Sequence, residues 1–287
     1  MGLIISIHGI SLSRVTSTPQ EAVEIAASAG FKYIEIPVTI WKINPETATK
    51  NDIANIRGIL NSGGVEASSL GTIWPRDYGM VAGSTAEWER NINYANKLFE
   101  FSAALGVKAL NLGGSARSVP VGTPYYEGLK KWVRFWKEAC KYAEDAGVIV
   151  CIEDLVRSHV TNIGNTTKEI MDLVEAINSP SFQINAQVHQ MAYTDLDVAA
   201  SIRASGDMIK LVHIADVVGF NTVVDPISFI TPGKGKLDFI SIFKTFKDIH
   251  YDGEFCMEPR AETLEGKDFV SELREGREFL EAQWMNA

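Results

Sequence analysis

Cysteine is scarce in this sequence, and positive charge is in deficit. The three cysteines, Cys140, Cys151 and Cys256, lie far apart and form no CxxC pair, which indicates neither a zinc knuckle nor a disulfide framework. Lys and Arg number 27 against 36 Asp and Glu, and the formal net charge is −9. This charge repels the phosphate backbone of nucleic acids, and no basic cluster offsets it. We therefore expect no nucleic-acid partner and a reducing, cytoplasmic location.

Long apolar runs and glycine-rich phosphate motifs are also lacking. No stretch approaches the roughly 20 apolar residues of a membrane span, and no basic segment precedes the first apolar stretch. We expect a soluble protein without a membrane partner. The residues His8-Gly9-Ile10-Ser11, which follow that stretch, do not match the GxGxxG turn of dinucleotide-binding sheets. No linker, repeat or low-complexity tract divides residues 1–287, so we expect one domain.

What the sequence does contain is a regular alternation of short β-rich apolar runs with longer segments of helical period. This alternation predicts a parallel sheet covered by helices, and a chain of 287 residues is long enough for a single (β/α)8 TIM barrel. The eight predicted strands are Ile4-Ile7, Tyr33-Ile36, Val65-Leu70, Ala109-Leu112, Ile149-Ile152, Phe182-Ile184, Lys210-His213 and Glu254-Met257.

Polar residues concentrate where these predicted strands end. In a parallel barrel the side chains that reach a substrate lie at the carboxyl ends of the strands, so these residues are the candidates for a site. They are His8, Glu35, Glu153, Asp154, His189, His213, Asp216, Glu258 and Arg260.

Two glutamates and one histidine in this set suit a metal ion. Glu153 and Glu258 each follow an apolar strand directly, where a carboxylate charge in low dielectric requires a partner. With His213 they form a mixed oxygen and nitrogen ligand set typical of Mn, Mg, Co or Zn. The sequence therefore predicts a divalent metal held by Glu153, His213 and Glu258.

The order of four short motifs resembles the xylose-isomerase-like superfamily, in particular its sugar isomerase and epimerase branch. The motifs are Ile152-Glu153, His213-Ile214-Ala215-Asp216, Pro232-Gly233-Lys234-Gly235 and Glu258. The branch includes tagatose 3-epimerase, inosose dehydratase and hydroxypyruvate isomerase. The resemblance covers essentially the whole chain, and it implies a TIM barrel, a divalent metal and a small sugar or polyol substrate.

The resemblance also implies a fourth metal ligand, an aspartate in an Asp-x-x-His motif after the sixth strand. Here the motif reads Ala186-Gln187-Val188-His189, so the aspartate is replaced by Ala186. Three alternatives follow: a three-ligand site completed by water, a shifted ligand such as Asn185 or Gln187, or a site that has lost its metal.

The family chemistry implies that Glu153 and Glu258 act as acid and base and move a proton through an enediolate. His189 is expected to orient a substrate oxygen or to pack a loop, and His8 to contact substrate or to satisfy backbone groups. Glu35 either serves the metal and substrate or forms a buried ion pair. Asp216 is expected to orient His213 or a loop.

Further candidates are aromatic or basic. Trp41 and Trp74 offer an apolar face to a sugar or a contact to a second subunit. Arg260 is a candidate substrate-binding residue. Symmetry favours a homo-oligomer, and the other tryptophans expected at the surface are Trp132, Trp136 and Trp284.

Three functions remain open at this point. The first is a metal-assisted sugar or keto-polyol isomerase or epimerase. The second is a lyase that dehydrates a cyclic polyol at the same site. The third is a metal-free sugar-binding barrel, which Ala186 suggests because it stands where an anionic ligand is expected.

Overall fold

The structure, a computed structural model, describes residues 3–13, 15–16, 18–76, 78–79, 84–114, 117–156, 161–195, 197–219, 229–260 and 268–287. Eight parallel strands close into a barrel, which confirms the predicted fold class. Each barrel strand pairs with the next barrel strand along the chain, and the last one pairs with the first. The barrel strands are β1 (Ile4–His8), β2 (Tyr33–Pro37), β3 (Glu66–Gly71), β4 (Ala109–Leu112), β5 (Ile149–Glu153), β6 (Phe182–Gln187), β7 (Ile209–Ile214) and β10 (Glu254–Met257).

Two short strands outside the barrel, β8 (Asp216–Val217) and β9 (Phe229–Ile230), pair antiparallel beyond the end of β7. Helices follow the strands and cover the barrel. They are α1 (Gly9–Leu12), α2 (Pro19–Ser28), α3 (Lys50–Gly63), α4 (Thr85–Leu105), α5 (Tyr125–Ala146), α6 (Thr167–Ile177), α7 (Val188–Thr194), α8 (Val198–Ser205), α9 (Phe239–Asp248) and α10 (Phe269–Asn286), with a 3-10 turn at Gly206–Met208.

Capping residues explain where several helices begin. Thr49 and Ser84 each accept from the backbone amide three residues on, while Asp52 and Glu87 accept from the amide of the cap residue. This reciprocal pairing satisfies amides that the first helical turn leaves free. None of the described helices is both long and apolar enough to cross a membrane.

Two aromatic predictions are corrected by the structure. Trp132 and Trp136, expected at the surface, are fully buried on the inner face of α5, where they pack with Phe182 of β6. Trp284 is partly buried and packs edge-on against Phe243. Trp132 and Trp136 therefore fill the layer between barrel and helices and offer no contact to a second subunit.

Candidate active site

The carboxyl ends of the strands surround an open cleft of about 120 Å³. Five strands contribute to its walls, so the barrel brings together residues from both ends of the chain. The lining residues are His8, Ile10, Thr72, Ile73, Trp74, Asn111, Leu112, Gly113, Gly114, Glu153 and Glu258.

His213 is the centre of the polar residues beneath this cleft. It is fully buried on β7, and its Nδ1 lies 3.1 Å from Glu258 Oε2 and 3.7 Å from Glu153 Oε2. Its Nε2 lies 3.0 Å from Glu35 Oε2. Burial alone would lower the pKa of His213, but the carboxylates of Glu35 and Glu258 outweigh it and hold that pKa well above the usual value. The structure thus brings the three predicted metal ligands together.

Glu35 forms the buried ion pair that was one of its two predicted roles. Its Oε1 lies 2.8 Å from His8 Nε2, and its second oxygen bonds His213, so one carboxylate bridges two imidazoles. Burial would raise the pKa of Glu35, but His8 and His213 together hold it below the usual range. Gly71 permits this position, because a Cβ there would lie 1.9 Å from Glu35 Oε1.

His8 combines both of its predicted environments. Its Nδ1 lies 3.0 Å from the Ile10 amide nitrogen at the start of α1 and accepts from it. Its Nε2 lies 2.8 Å from Glu35 Oε1 and 3.8 Å from Glu258 Oε1. His8 thus satisfies a backbone group and also lines the cleft.

The two predicted catalytic glutamates differ in their electrostatic environment. Burial raises the pKa of Glu153 to about 7, with the Glu258 charge adding to the shift and His213 opposing it. Burial also acts to raise the pKa of Glu258, but His8 and His213 reverse the shift and bring it to about 2. Two carboxyls with pKa values pushed apart are suited to opposite roles in proton transfer.

At the end of β6, the side chains that face the site are not at the position that the Asp-x-x-His motif predicts. Asn185 donates to Asn111 Oδ1 at 3.0 Å, and Gln187 donates to Glu258 Oε2 at 3.1 Å, so both side chains face the site. Ala186 lies between them and packs in the hydrophobic core on the opposite face of the strand. The pairing of β6 with β7 shifts register between Ile184 and Asn185. The position that the motif assigns to the missing aspartate therefore does not face the cleft.

His189 lies in the first turn of α7, not in a loop, and is fully buried. Its ring centroid is 4.0 Å from that of Phe229, and its Nε2 lies 3.9 Å from Glu258 Oε2. Burial lowers the pKa of His189 to about 3, so the ring is neutral. Neither ring nitrogen has a hydrogen-bond partner among the described residues. A neutral imidazole with a free donor and a free acceptor suits a substrate hydroxyl.

Arg260 lies two residues after Glu258, and its guanidinium lies over the ring of Phe229. Its guanidinium carbon is 4.9 Å from the ring centroid of Phe229, and its amide donates to the Phe229 carbonyl. This arrangement joins the chain after β10 to β9 at the edge of the site.

Trp74 forms part of the cleft wall, but its ring is 1% exposed. It packs edge-on against Tyr94 and Phe135, and its Nε1 donates to the Tyr78 carbonyl. A contact from Trp74 to a second subunit is therefore excluded by its burial. Its role at the cleft is to shape the wall.

Asp216 organises a loop, which was one of its two predicted roles. Its carboxylate accepts from the amides of Gly233, Gly235 and Leu237. A Cβ on Gly235 would lie 2.4 Å from Asp216 Oδ1, so the glycine is needed for this close approach. The Pro232-Gly233-Lys234-Gly235 motif therefore builds the turn before α9.

A polar column below the site was not predicted from the sequence. Ser69 Oγ lies 3.0 Å from Glu35 Oε2 and 3.0 Å from Glu254 Oε1, and Ser6 donates to the same Glu254 oxygen. Burial and the nearby Glu35 charge raise the pKa of Glu254. The column joins the amino end of β10 to the histidines of the site. Only the positions of Ser6 and Glu35, each between two isoleucines, signal it in the sequence.

The donor atoms present fit a divalent cation. Among the described residues, two groups of three donors lie within 4.8 Å of one another: His8, His213 and Glu258, and Glu35, His213 and Cys256. Burial raises the pKa of the Cys256 thiol well above its usual value, which makes the second group a poor one. Glu153 belongs to neither group, but its 3.7 Å approach to His213 Nδ1 places it beside the first. Ligand atoms that share one octahedral cation are about 3 Å apart.

Comparison with known proteins identifies the family. Residues 23–283 match the family model described as a xylose isomerase-like TIM barrel. A D-psicose 3-epimerase of Enterocloster bolteae is 29% identical over 148 residues, which cover 52% of this chain and less than half, 45%, of that protein. The L-ribulose-5-phosphate 3-epimerase UlaE of Escherichia coli O157:H7 (strain EC4115 / EHEC) is 22% identical, over 93% of this chain and 90% of that protein.

The fold agrees with these matches. The structure of D-psicose 3-epimerase with D-tagatose from Clostridium cellulolyticum H10 superposes with a TM-score of 0.82 at 15% identity, covering 98% of this chain and 99% of that chain. The resemblance seen in the sequence motifs is thus confirmed, and the similar proteins carry the names of isomerase-class enzymes. The chain belongs to the xylose isomerase-like TIM barrel family.

Proposed function

We propose that this protein is a metal-dependent sugar epimerase that inverts the carbon next to the carbonyl of a ketose. The observation that carries the proposal is the pair Glu153 and Glu258, which line one cleft and both approach His213 Nδ1. The names of the similar proteins, D-psicose 3-epimerase and L-ribulose-5-phosphate 3-epimerase, support ketoses and their phosphates as the substrate class.

The two glutamates divide the proton transfer between them. With its low pKa, Glu258 is ionised and removes the proton from carbon 3 of the bound ketose, which leaves an enediolate across carbons 2 and 3. Glu153 delivers a proton to the opposite face of the same carbon. In the reverse direction the two residues exchange roles.

The site residues also hold the metal ion and the substrate. Glu153, His213 and Glu258 would hold Mn, Mg, Co or Zn, which when bound withdraws charge from the carbonyl oxygen and stabilises the enediolate. His189 contacts a substrate hydroxyl through its unpartnered ring nitrogens. Arg260, beside Phe229, contacts polar groups of the substrate at the edge of the cleft.

The test is conversion of a panel of ketoses and ketose 5-phosphates by protein loaded with Mn²⁺, followed by chromatography of the products. We expect a carbon-3 epimer from at least one substrate. The variants Glu153→Gln and Glu258→Gln should lose at least about 100-fold in kcat, since each removes a proton-transfer group. Glu275→Gln, an exposed glutamate on α10, is the matched control and should retain activity.

The same panel decides between the proposed epimerase and the alternatives. A dehydrated product would establish the lyase, since loss of a hydroxyl also begins with proton removal next to a carbonyl. Binding of a ketose without turnover in the Mn²⁺-loaded protein would contradict the proposal and establish a sugar-binding barrel.

A further inference from the structure

The side-chain oxygen of Gln187 is a buried acceptor without a partner. Gln187 is 2% exposed, and its Nε2 donates to Glu258 Oε2 at 3.1 Å. Its Oε1 has no hydrogen-bond partner among the described residues. A buried amide oxygen left unpaired destabilises the protein, so such an atom calls for a ligand.

The direction of the Gln187 side chain follows from the strand. It occupies the last position of β6 and pairs in register with His213 of β7. Side chains alternate between the two faces of a strand, so Gln187 faces the cleft while Ala186 faces the helices. Gln187 therefore contacts one of the proposed metal ligands and pairs with the residue that supplies another.

Resting on the function proposed above, we propose that Gln187 Oε1 is the fourth protein ligand of the divalent cation. The chain then supplies two anionic ligands, Glu153 and Glu258, with one imidazole and one neutral amide oxygen. Amide oxygens are established ligands of hard cations, and the affinity of such sites rises with the number of charged ligands. The cation is accordingly held more weakly than it would be with a carboxylate at position 187.

Asn185 is the competing candidate on the same face of β6. Its amide nitrogen is committed lower in the barrel, where it donates to Asn111 Oδ1 and to Glu153 Oε2 at 3.4 Å, and its Oδ1, like that of Gln187, has no partner among the described residues. Asn185 lies two residues before Gln187 on the strand. It is therefore about 7 Å further than Gln187 from the carboxyl end of β6. Its contacts position Glu153 and do not reach Glu258.

The experiment is titration calorimetry of the full chain with Mn²⁺, which needs no substrate. We expect Gln187→Glu to tighten Mn²⁺ binding by at least about tenfold, because it adds an anionic ligand. Gln187→Met keeps the length of the side chain and removes the oxygen, so it should weaken binding by about tenfold or more. Ala186→Asp, which restores the family motif in sequence, should not tighten binding, because that side chain faces the hydrophobic core.

The outcomes separate this inference from the proposed function. If the wild-type chain binds one Mn²⁺ and loses it in Glu153→Gln, the metal site stands regardless of Gln187. Unchanged affinity in both Gln187 variants, or tighter binding in Asn185→Asp or Ala186→Asp instead, would overturn the assignment of Gln187 alone. If Gln187→Glu fails to fold, as circular dichroism will show, the Gln187→Met titration decides the question.

Discussion

The carboxylate of Glu35 contacts two imidazoles in the barrel. Glu35 holds His8 with one oxygen and His213 with the other, at 2.8 and 3.0 Å. Because Nε2 of His213 donates to Glu35, Nδ1 is directed to Glu153 and Glu258. A carboxylate that fixes the orientation of a metal-binding histidine in this way strengthens metal binding.

Replacing Glu35 by Gln tests this positioning role. A carboxamide has one acceptor oxygen in place of two, so one of the two histidines will face an N–H donor. We expect Mn²⁺ affinity to fall by about 10- to 100-fold, measured by calorimetry, while the circular dichroism spectrum is retained. Glu66→Gln, at the exposed start of β3, is the matched control. Equal Mn²⁺ affinity in Glu35→Gln and wild type would show that Glu35 has no influence on His213.

At this scale the sequence predicted the members of the site better than their contacts. Glu153, His213 and Glu258 were found because each ends an apolar strand, and the structure brings them together around His213 Nδ1. The position of Gln187 could not be predicted from the motif, because it depends on a register shift between β6 and β7. Contacts such as His8 to Glu35 depend on the pairing of β1 with β2 and have no local signal.

Among the elements, β10 carries polar residues at both of its ends. Glu258 follows its carboxyl end, and Glu254 begins it and pairs through Ser69 with the floor of the site. Burial and the Glu35 charge raise the pKa of Glu254, so the folded state binds its proton more tightly than the unfolded chain does. Its contribution to stability is therefore largest below about pH 4, the unfolded pKa of a glutamate, and decreases as pH rises through the folded pKa.

The variant Glu254→Gln isolates this contribution. Gln keeps a hydrogen-bonding side chain beside Ser6 and Ser69 but does not ionise. We expect the free energy of unfolding of the variant to improve relative to wild type as pH is raised from 4 to 7. Urea unfolding at several pH values, followed by tryptophan fluorescence, measures this difference. A difference that does not vary with pH would mean that the pKa of Glu254 is the same in the folded and unfolded states.

Helix α5 shows where the sequence interpretation was wrong and why. Trp132, Trp136, Ala139 and Ala143 recur at helical spacing and are all buried. Apolar residues at this spacing form the face of a helix that packs on the core. Considered singly, as large aromatics, the tryptophans suggest a surface position. The period of the whole helix predicts their burial.

Over the whole molecule, the closed barrel unites residues that are distant in sequence. His8 and Glu258 lie near opposite ends of the chain, and their side chains approach to 3.8 Å because β1 pairs with β10. The eight strands were predicted because short apolar runs alternate with helical segments, and two of them, Ala109–Leu112 and Glu254–Met257, were predicted to the residue. Strand ends were placed less well where polar residues continue the strand, as at Asn185 and Gln187 of β6.

The most direct test of the proposed function is the fate of the hydrogen on carbon 3 of a ketose. The Mn²⁺-loaded protein is incubated in deuterated water with a ketose that it converts, and the products are analysed by proton NMR. Because Glu258 removes the proton and Glu153 delivers one that comes from solvent, we predict that the newly formed epimer carries deuterium at carbon 3 and not at carbon 1. An epimer that retains its original hydrogen at carbon 3, or the absence of any epimer from the metal-loaded protein, would contradict the proposed function.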